Sequence, residues 1–358
     1  MTAGRRYLAA VILAALAAPS LGMLATPYRT QSAPEHRLLA PPPALSANAR
    51  DAAVLPRRID AWFADHFAWR GPLVEASFFA QTRVGLKPAA GQQVVRGKGD
   101  WLLLYSGLLG ATGGEVRADA ARRYAAFVCQ LQGEVQRRGA RFLFAPAPST
   151  AEIYPEALPE WTPRGSPTQP DLVLQDARAC GAQALDLRPA MLAAKAGERL
   201  YQHHDSHWTN AGALVAFNGV ARALGQPWSI APAAMGWRPG RPADSDLVRL
   251  GGGFGLRQEL APEPPQGPDG APTQGLIEEL AVRPYPPPFL QPAAAAHPVV
   301  LVIGDSYTAD FIGQYFRRAG VSWAWTHQAE CRFDRRILDR VRPDFVVLAP
   351  VSRFEFCR

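Results

Sequence analysis

The sequence has few cysteines, no Lys/Arg block, no internal repeat and only one apolar run near membrane length. Its four cysteines, Cys129, Cys180, Cys331 and Cys357, occur singly, with no Cys-x-x-Cys pair. That excludes the common structural zinc sites, whose ligands come in close pairs. Lys and Arg number 38 against 31 acidic residues, a net charge of +7, but the bases are scattered. Scattered arginines solubilise a surface without forming the basic stripe that grips nucleic acid, so no nucleic-acid partner is expected. A mildly basic face also suits an anionic polymer or a membrane surface.

What is present is an ordinary globular balance, 48% hydrophobic and 19% charged over 358 residues, enough for a large core. Pro (34) and Gly (31) cluster between regular segments, so long loops are expected. The one long apolar run, Tyr7 to about Ala25, follows Arg5-Arg6 and predicts an export segment. Spanning a bilayer takes roughly 20 residues, so the run fits an anchor. Ser20-Leu21-Gly22 offers a small-x-small cleavage site, and Pro19 breaks the helix beside it. Residues 1–26 therefore read as a signal peptide or signal anchor, with everything after them outside the cytoplasm. Residues 27–55 read as a Pro/Ala-rich tether, and 56–358 as the folded domain. In an exported chain two disulfides are expected, Cys129–Cys180 and Cys331–Cys357, each pair lying in one half of the sheet; four buried free thiols are the alternative.

Hydrophobic periodicity then outlines the domain. Ile59, Trp62, Phe63 and Phe67, followed after Gly71-Pro72 by Leu73, Val74 and Phe78, predict two short helices packed on a core. Val94–Tyr105 reads as a hairpin with a Gly-Asp turn. Helices are predicted at 118–138, 170–181 and 210–224, and strands at 141–146 and 184–187. Residues 226–296, dense in Pro and Gly, read as an insertion of loops with a small β-element over one end of the sheet. Strands resume at 299–303, 321–325 and 344–348. This alternation predicts an α/β fold, a mostly parallel sheet with helices on both faces.

Two stretches carry chemistry. In the first, Val299–Ile303 forms a buried strand, Gly304 breaks it, and Ser306 follows before a helix predicted over 309–318. Open α/β sheets keep their sites at such carboxyl ends. The Ser306 N–H there is a candidate oxyanion donor, and a plain helix cap is the bland reading. In the second, Tyr201–Gly212 gathers three of the seven histidines and an aspartate before a helix. Asp205 and His207 are two apart, so in extended backbone they point the same way and the carboxylate can orient the imidazole. Thr209 or Asn210 is expected to cap the helix that follows. A metal site of His203, His204 and His207 is disfavoured because adjacent histidines rarely both ligate. No cofactor is expected.

Gly304-Asp-Ser-Tyr-Thr308 resembles the Gly-Asp-Ser block of SGNH-type hydrolases, and Asp205-Ser-His-Trp-Thr209 resembles the Asp-Thr-His-Trp block of periplasmic alginate O-acetyltransferases and related exopolysaccharide enzymes. The order is also similar, with Asp-x-His before the serine. Asp65–Gly71, Gly97–Trp101, Pro146–Glu156 and Asp344–Arg353 resemble further segments of that family, so the likeness covers most of 57–355 outside the insertion. Thr150 departs from its usual lysine, and Ala349 and Ser352 from an often acidic closing segment.

The resemblance implies a three-layer SGNH-hydrolase-like fold and a seryl acyl-enzyme. Ser306 would be the nucleophile, His207 the base and Asp205 its orienting partner. Tyr307 N–H, Asn210 and Arg353 are candidate oxyanion helpers, and Trp208 a candidate sugar-stacking surface. The implied acceptor is a polysaccharide, such as alginate or another exopolysaccharide. The implied donor route is a membrane-bound O-acyltransferase working with exopolysaccharide secretion machinery. Two other readings stand beside acetyl transfer: an acetyl-esterase of the same type, and a non-catalytic polymer-binding scaffold.

Overall fold

The apolar run Val299–Ile303 lies at the centre of a six-stranded sheet. The structure, a computed structural model, describes residues 93–238, 245–251, 275–293, 298–354 and 357, with 260, 262 and 263; before residue 93 it describes 30–32, 37–43, 49–70 and scattered positions. The sheet strands are β1 (Arg141–Phe144), β2 (Gly275–Leu276), β3 (Phe289–Gln291), β4 (Val299–Gly304), β5 (Ser322–His327) and β6 (Phe345–Ala349). Their spatial order is β1-β6-β4-β5-β3-β2. The first four run parallel, while β3 pairs antiparallel with β5 and β2 with β3.

A parallel strand covered on both faces needs apolar residues at every position. Every residue of β4 is buried. Val300 and Val302 face one helical layer and Leu301 and Ile303 the other, as the two-residue period requires. The first layer includes helices Asn210–Ala223 and Gly313–Arg318, through Phe217 and Phe316. The second includes Ala118–Arg137, Gln169–Ala179 and Arg336–Val341, through Leu131, Val173 and Ile337. This is the three-layer α/β arrangement expected. Cys129–Cys180 staples two second-layer helices, and Cys331–Cys357 ties the chain after β5 to the carboxyl-terminal tail, the pairing read from the sequence.

Several elements differ from expectation. Residues 184–187 form no strand: Ala184 makes one isolated bridge to Phe144, because helix Arg188–Ala194 begins directly after. The helix after Ser306 is broken, with Ser306–Ala309 and Gly313–Arg318 as separate pieces. The 226–296 segment does hold a small β-element, as read from the sequence, and its strands β2 and β3 extend the main sheet. The hairpin stands as expected, with strands Val94–Arg96 and Leu102–Leu104 and a turn in which Gly97 N–H donates to the Trp101 carbonyl at 2.8 Å.

By its contacts the chain divides into two units, Met1–Val95 with Asp244–Leu256, and Arg96–Ala243 with Arg257–Arg358. In the first, one helix, Ala49–His66, begins inside the stretch read as a tether. Asp65 accepts the Ala40 N–H at 2.8 Å, and His66 stacks with Tyr28 and Trp62. Ile59 and Phe63 are 44% and 40% exposed, rather than packed as expected. The second short helix, apart from Leu73, Ala76 and Ala80, lies outside the described residues, as does much of the export segment, whose described residues from Tyr7 to Met23 are helical. Among the described residues no helix is long and apolar enough to cross a membrane.

Candidate active site

Gly304 ends β4 where no side chain fits: a Cβ there would lie 2.2 Å from Thr308 Oγ1 and 2.9 Å from the Ala349 carbonyl. The chain turns sharply, and the cap of the next helix is Asp305, whose Oδ1 accepts the Tyr307 N–H at 3.0 Å. Ser306 is therefore the first helical residue and not the cap, and its hydroxyl is left for another partner. Asp305 Oδ2 accepts the Val351 N–H at 2.7 Å, beyond the end of β6. Burial pushes the Asp305 carboxyl above its ordinary pKa, and the N–H donors and the nearby Arg353 charge oppose that rise.

The Asp205–His207 loop reaches the same sheet edge. Thr209 caps helix Asn210–Ala223 by accepting the Gly212 N–H at 3.2 Å, and donates its hydroxyl to the Arg199 carbonyl at 2.7 Å. A bridge between Tyr201 and Trp208 closes the loop, and the Tyr201 hydroxyl donates to the Pro148 carbonyl. Asp205 Oδ1 accepts the His207 N–H at 3.0 Å and lies 2.6 Å from His207 Nδ1. A proton on Nδ1 leaves Nε2 as an acceptor, 2.7 Å from Ser306 Oγ. The Asp205 and His207 side chains keep 12% and 16% of their surface, so the line is largely shielded from solvent. An imidazole held this way can take a hydroxyl proton.

The other candidates fall differently. Trp208 is 1% exposed and donates its indole N–H to the Tyr307 carbonyl at 3.0 Å, so it is core beneath the site and offers a sugar no face. Tyr307 N–H is taken by Asp305, as noted, and is not open to an oxyanion. Asn210 turns its amide away, donating to Pro262 O at 3.2 Å and accepting from Gln314 at 2.7 Å, which removes it as a helper. Arg353 does reach the site: its guanidinium lies 5.2 Å from the Tyr307 ring centre, 3.2 Å from Tyr307 Oη and 3.4 Å from Ser206 Oγ. The Tyr307 hydroxyl donates to the Ser206 carbonyl. His203 packs against Trp101 with ring centres 4.2 Å apart, and no candidate metal cluster among the described residues contains His203 or His204.

Sequence reading missed several neighbours. Phe311 stacks on His207 at 5.7 Å, and Asp310, one turn after Ser306, carries a carboxyl raised by burial and drawn down by the His207 charge. His327 pairs with Gly304 in register and stacks on Tyr285 at 4.0 Å; burial lowers its pKa to about 4, so it is neutral at neutral pH. Only Asp305 carried a local signal, the acidic residue two before an N–H at a helix start. Beside Arg353, a cavity of about 240 Å³ is lined by Tyr105, Arg117, Gln169 and Ser352 among others.

Comparison with known proteins bears on this geometry. No curated protein sequence matches the chain. Among solved structures, PatB1 of Bacillus cereus superposes with a TM-score of 0.53 at 14% identity, over 74% of this chain and 97% of that one, which shows a shared fold. The O-acetyltransferase domain of Pseudomonas putida AlgJ gives 0.47 at 20% identity, over 73% and 92%. Pseudomonas aeruginosa AlgX gives 0.43 at 16% identity, over 72% and 61%. The sequence model of the SGNH hydrolase-like domain of acetyltransferase AlgX matches residues 94–318, a span that takes in Asp205, His207 and Ser306. That is well over half of the chain, which therefore belongs to the AlgX family of SGNH hydrolase-like acetyltransferases.

Proposed function

We propose that the protein transfers acetyl groups to a polysaccharide outside the cytoplasm through an acetyl ester on Ser306. The observation that carries this reading is the hydrogen-bond line from Asp205 Oδ1 through His207 to Ser306 Oγ, with steps of 2.6 and 2.7 Å. In the first half-reaction His207 Nε2 takes the Ser306 proton as Oγ attacks the donor's acetyl carbonyl. The Ser306 N–H stabilises the oxyanion. Collapse breaks the donor's ester bond, and His207 gives the proton to the departing oxygen. In the second, a sugar hydroxyl gives its proton to His207 and attacks the acetyl-serine. The acetylated sugar leaves and Ser306 recovers its proton. Asp205 holds the imidazole tautomer and steadies the imidazolium.

Whether water or a sugar attacks the acyl-enzyme separates an esterase from a transferase. The cavity beside Arg353 is the seat we assign to the sugar, because one ring fits its volume and Tyr105 and Arg117 line it. Two disulfides and the basic-then-apolar amino terminus support an oxidising, extracytoplasmic setting. A membrane-bound O-acyltransferase would pass the acetyl group outward to this protein, and the polymer would come from the secretion machinery. The test uses purified protein, a chromogenic acetyl ester and an oligosaccharide acceptor. Acetylated oligosaccharide that disappears in Ser306→Ala supports transfer. Release of acetate alone, with acceptor present, sinks it. A sulfonyl adduct of Bacillus cereus PatB1 has been crystallised, so a sulfonyl fluoride is a direct probe for an activated hydroxyl here.

A further inference from the structure

We infer that Glu152 is a positioning residue for this site, acting through Ser352 on Arg353; the inference rests on the roles proposed above for Ser306 and His207. Strand β6 lies between β1 and β4, and the chain leaving β6 is held from both sides. On the β1 side, Ala147 N–H donates to the Pro350 carbonyl and Ser352 N–H to the Ala147 carbonyl, both at 2.8 Å. On the β4 side, Asp305 takes the Val351 N–H. These backbone bonds set the path of the segment. One further bond fixes the side chain of Ser352, whose hydroxyl donates to Glu152 Oε2.

Glu152 is itself anchored. The same Oε2 accepts Ser149 N–H at 2.6 Å and Ser149 Oγ–H at 2.9 Å, the capping box of the single turn Thr150–Ile153. A helix of four residues gains little from a cap. The carboxylate is also buried, which raises its pKa against the bonds from Ser352 and Ser149 and the Arg188 charge. Three donors thus converge on one oxygen, Ser149 N–H, Ser149 Oγ–H and Ser352 Oγ–H, so the Ser352 side chain is tied to the turn Thr150–Ile153.

What the bond orients is the next residue. Arg353 presses its Cβ on Gly107, where any side chain would lie 2.4 Å away. Its guanidinium reaches Tyr307, which follows Ser306, and Ser206, which lies between Asp205 and His207. Arg353 thus bridges the two loops whose spacing sets the 2.7 Å contact between His207 and Ser306. A shift of Ser352 swings this bridge without touching either loop directly.

A double-mutant cycle on the full-length protein tests the chain of action, with the chromogenic acetyl ester as substrate. Ser352→Ala is expected to lower kcat about tenfold, with KM within about twofold, and Ser352→Thr to restore it. In an Arg353→Lys background the same Ser352→Ala change is expected to add less than about twofold, because the bridge it serves is already gone. Glu152→Gln, paired with Arg353→Lys in its own cycle, is expected to give the same non-additivity and covers the case in which Ser352→Ala does not fold. Full multiplication of the effects, or an unchanged kcat in a folded Ser352→Ala, overturns the inference. Wild-type turnover that survives Ser306→Ala would instead overturn the proposed function, before the cycle is read.

Discussion

The carboxylate of Asp305 accepts the N–H of Val351 at 2.7 Å, so the residue before the serine holds the loop that follows the neighbouring strand. Its other oxygen caps the helix that Ser306 begins. Removing the side chain strands two buried N–H groups, each worth about 1–3 kcal/mol. Asp305→Ala is expected to cost about 2–5 kcal/mol in urea unfolding and to lower ester turnover as well. A variant of wild-type stability would show that these N–H groups find other partners.

Ser306 carries no cap, and its hydroxyl meets His207 alone among the bonds described. Ser306→Ala is expected to lower ester turnover about a thousandfold or more, with the unfolding free energy within about 1 kcal/mol of wild type. Circular dichroism melts and ester kinetics on the same sample separate the two effects. Large destabilisation would point to a structural hydroxyl.

Trp208 is 1% exposed, with its indole N–H bonded to the Tyr307 carbonyl. Trp208→Phe removes the bond to the Tyr307 carbonyl and is expected to cost about 1–2 kcal/mol, with a lower kcat. The KM for the oligosaccharide acceptor should not move. A raised acceptor KM with normal stability would return Trp208 to the role of a sugar platform.

Burial raises the Glu152 carboxyl above its ordinary value of 4.5, so the folded protein binds that proton more tightly than the unfolded chain does. The stability this group contributes is complete below about 4.5 and is lost as pH rises through the folded value. Glu152→Gln cannot titrate. Its melting temperature relative to wild type is therefore expected to rise between about pH 4 and about pH 8. A constant difference across that range would mean that the group titrates alike in both states.

The disulfide Cys129–Cys180 closes 51 residues and Cys331–Cys357 closes 26. On loop entropy alone, replacing either pair by serine is expected to cost about 3–4 kcal/mol. Only the second pair lies on the chain that leaves β5 beside Gly304, so its loss should also lower turnover. Denaturant unfolding with and without reductant, followed by ester kinetics, measures both effects.

The sequence alone determined the local parts. Val299–Ile303 is apolar at every position, as a doubly covered strand must be. Asp205 and His207 are two residues apart in a loop, and that spacing is enough to let one orient the other. Ser306, just past the glycine that ends a buried strand, was legible as a candidate for the same kind of reason. These features depend on a few consecutive residues, so composition and period expose them. Where β3 and β2 join the sheet was not legible, because two- and three-residue strands in a Pro-rich segment carry no period.

Only the tertiary structure decided how the parts meet. Whether β6 runs beside β4 or at an edge depends on packing summed over the whole sheet, and no window of sequence records it. That order brings Val351 to Asp305, Ser352 to Glu152 and Arg353 to Tyr307, across separations of 46, 200 and 46 residues. It also decided against two readings that residue type favoured. Trp208 and Asn210 have the right chemistry for a sugar and an oxyanion, but the helix at Asn210–Ala223 packs on the sheet in a way that buries the one and turns the other aside.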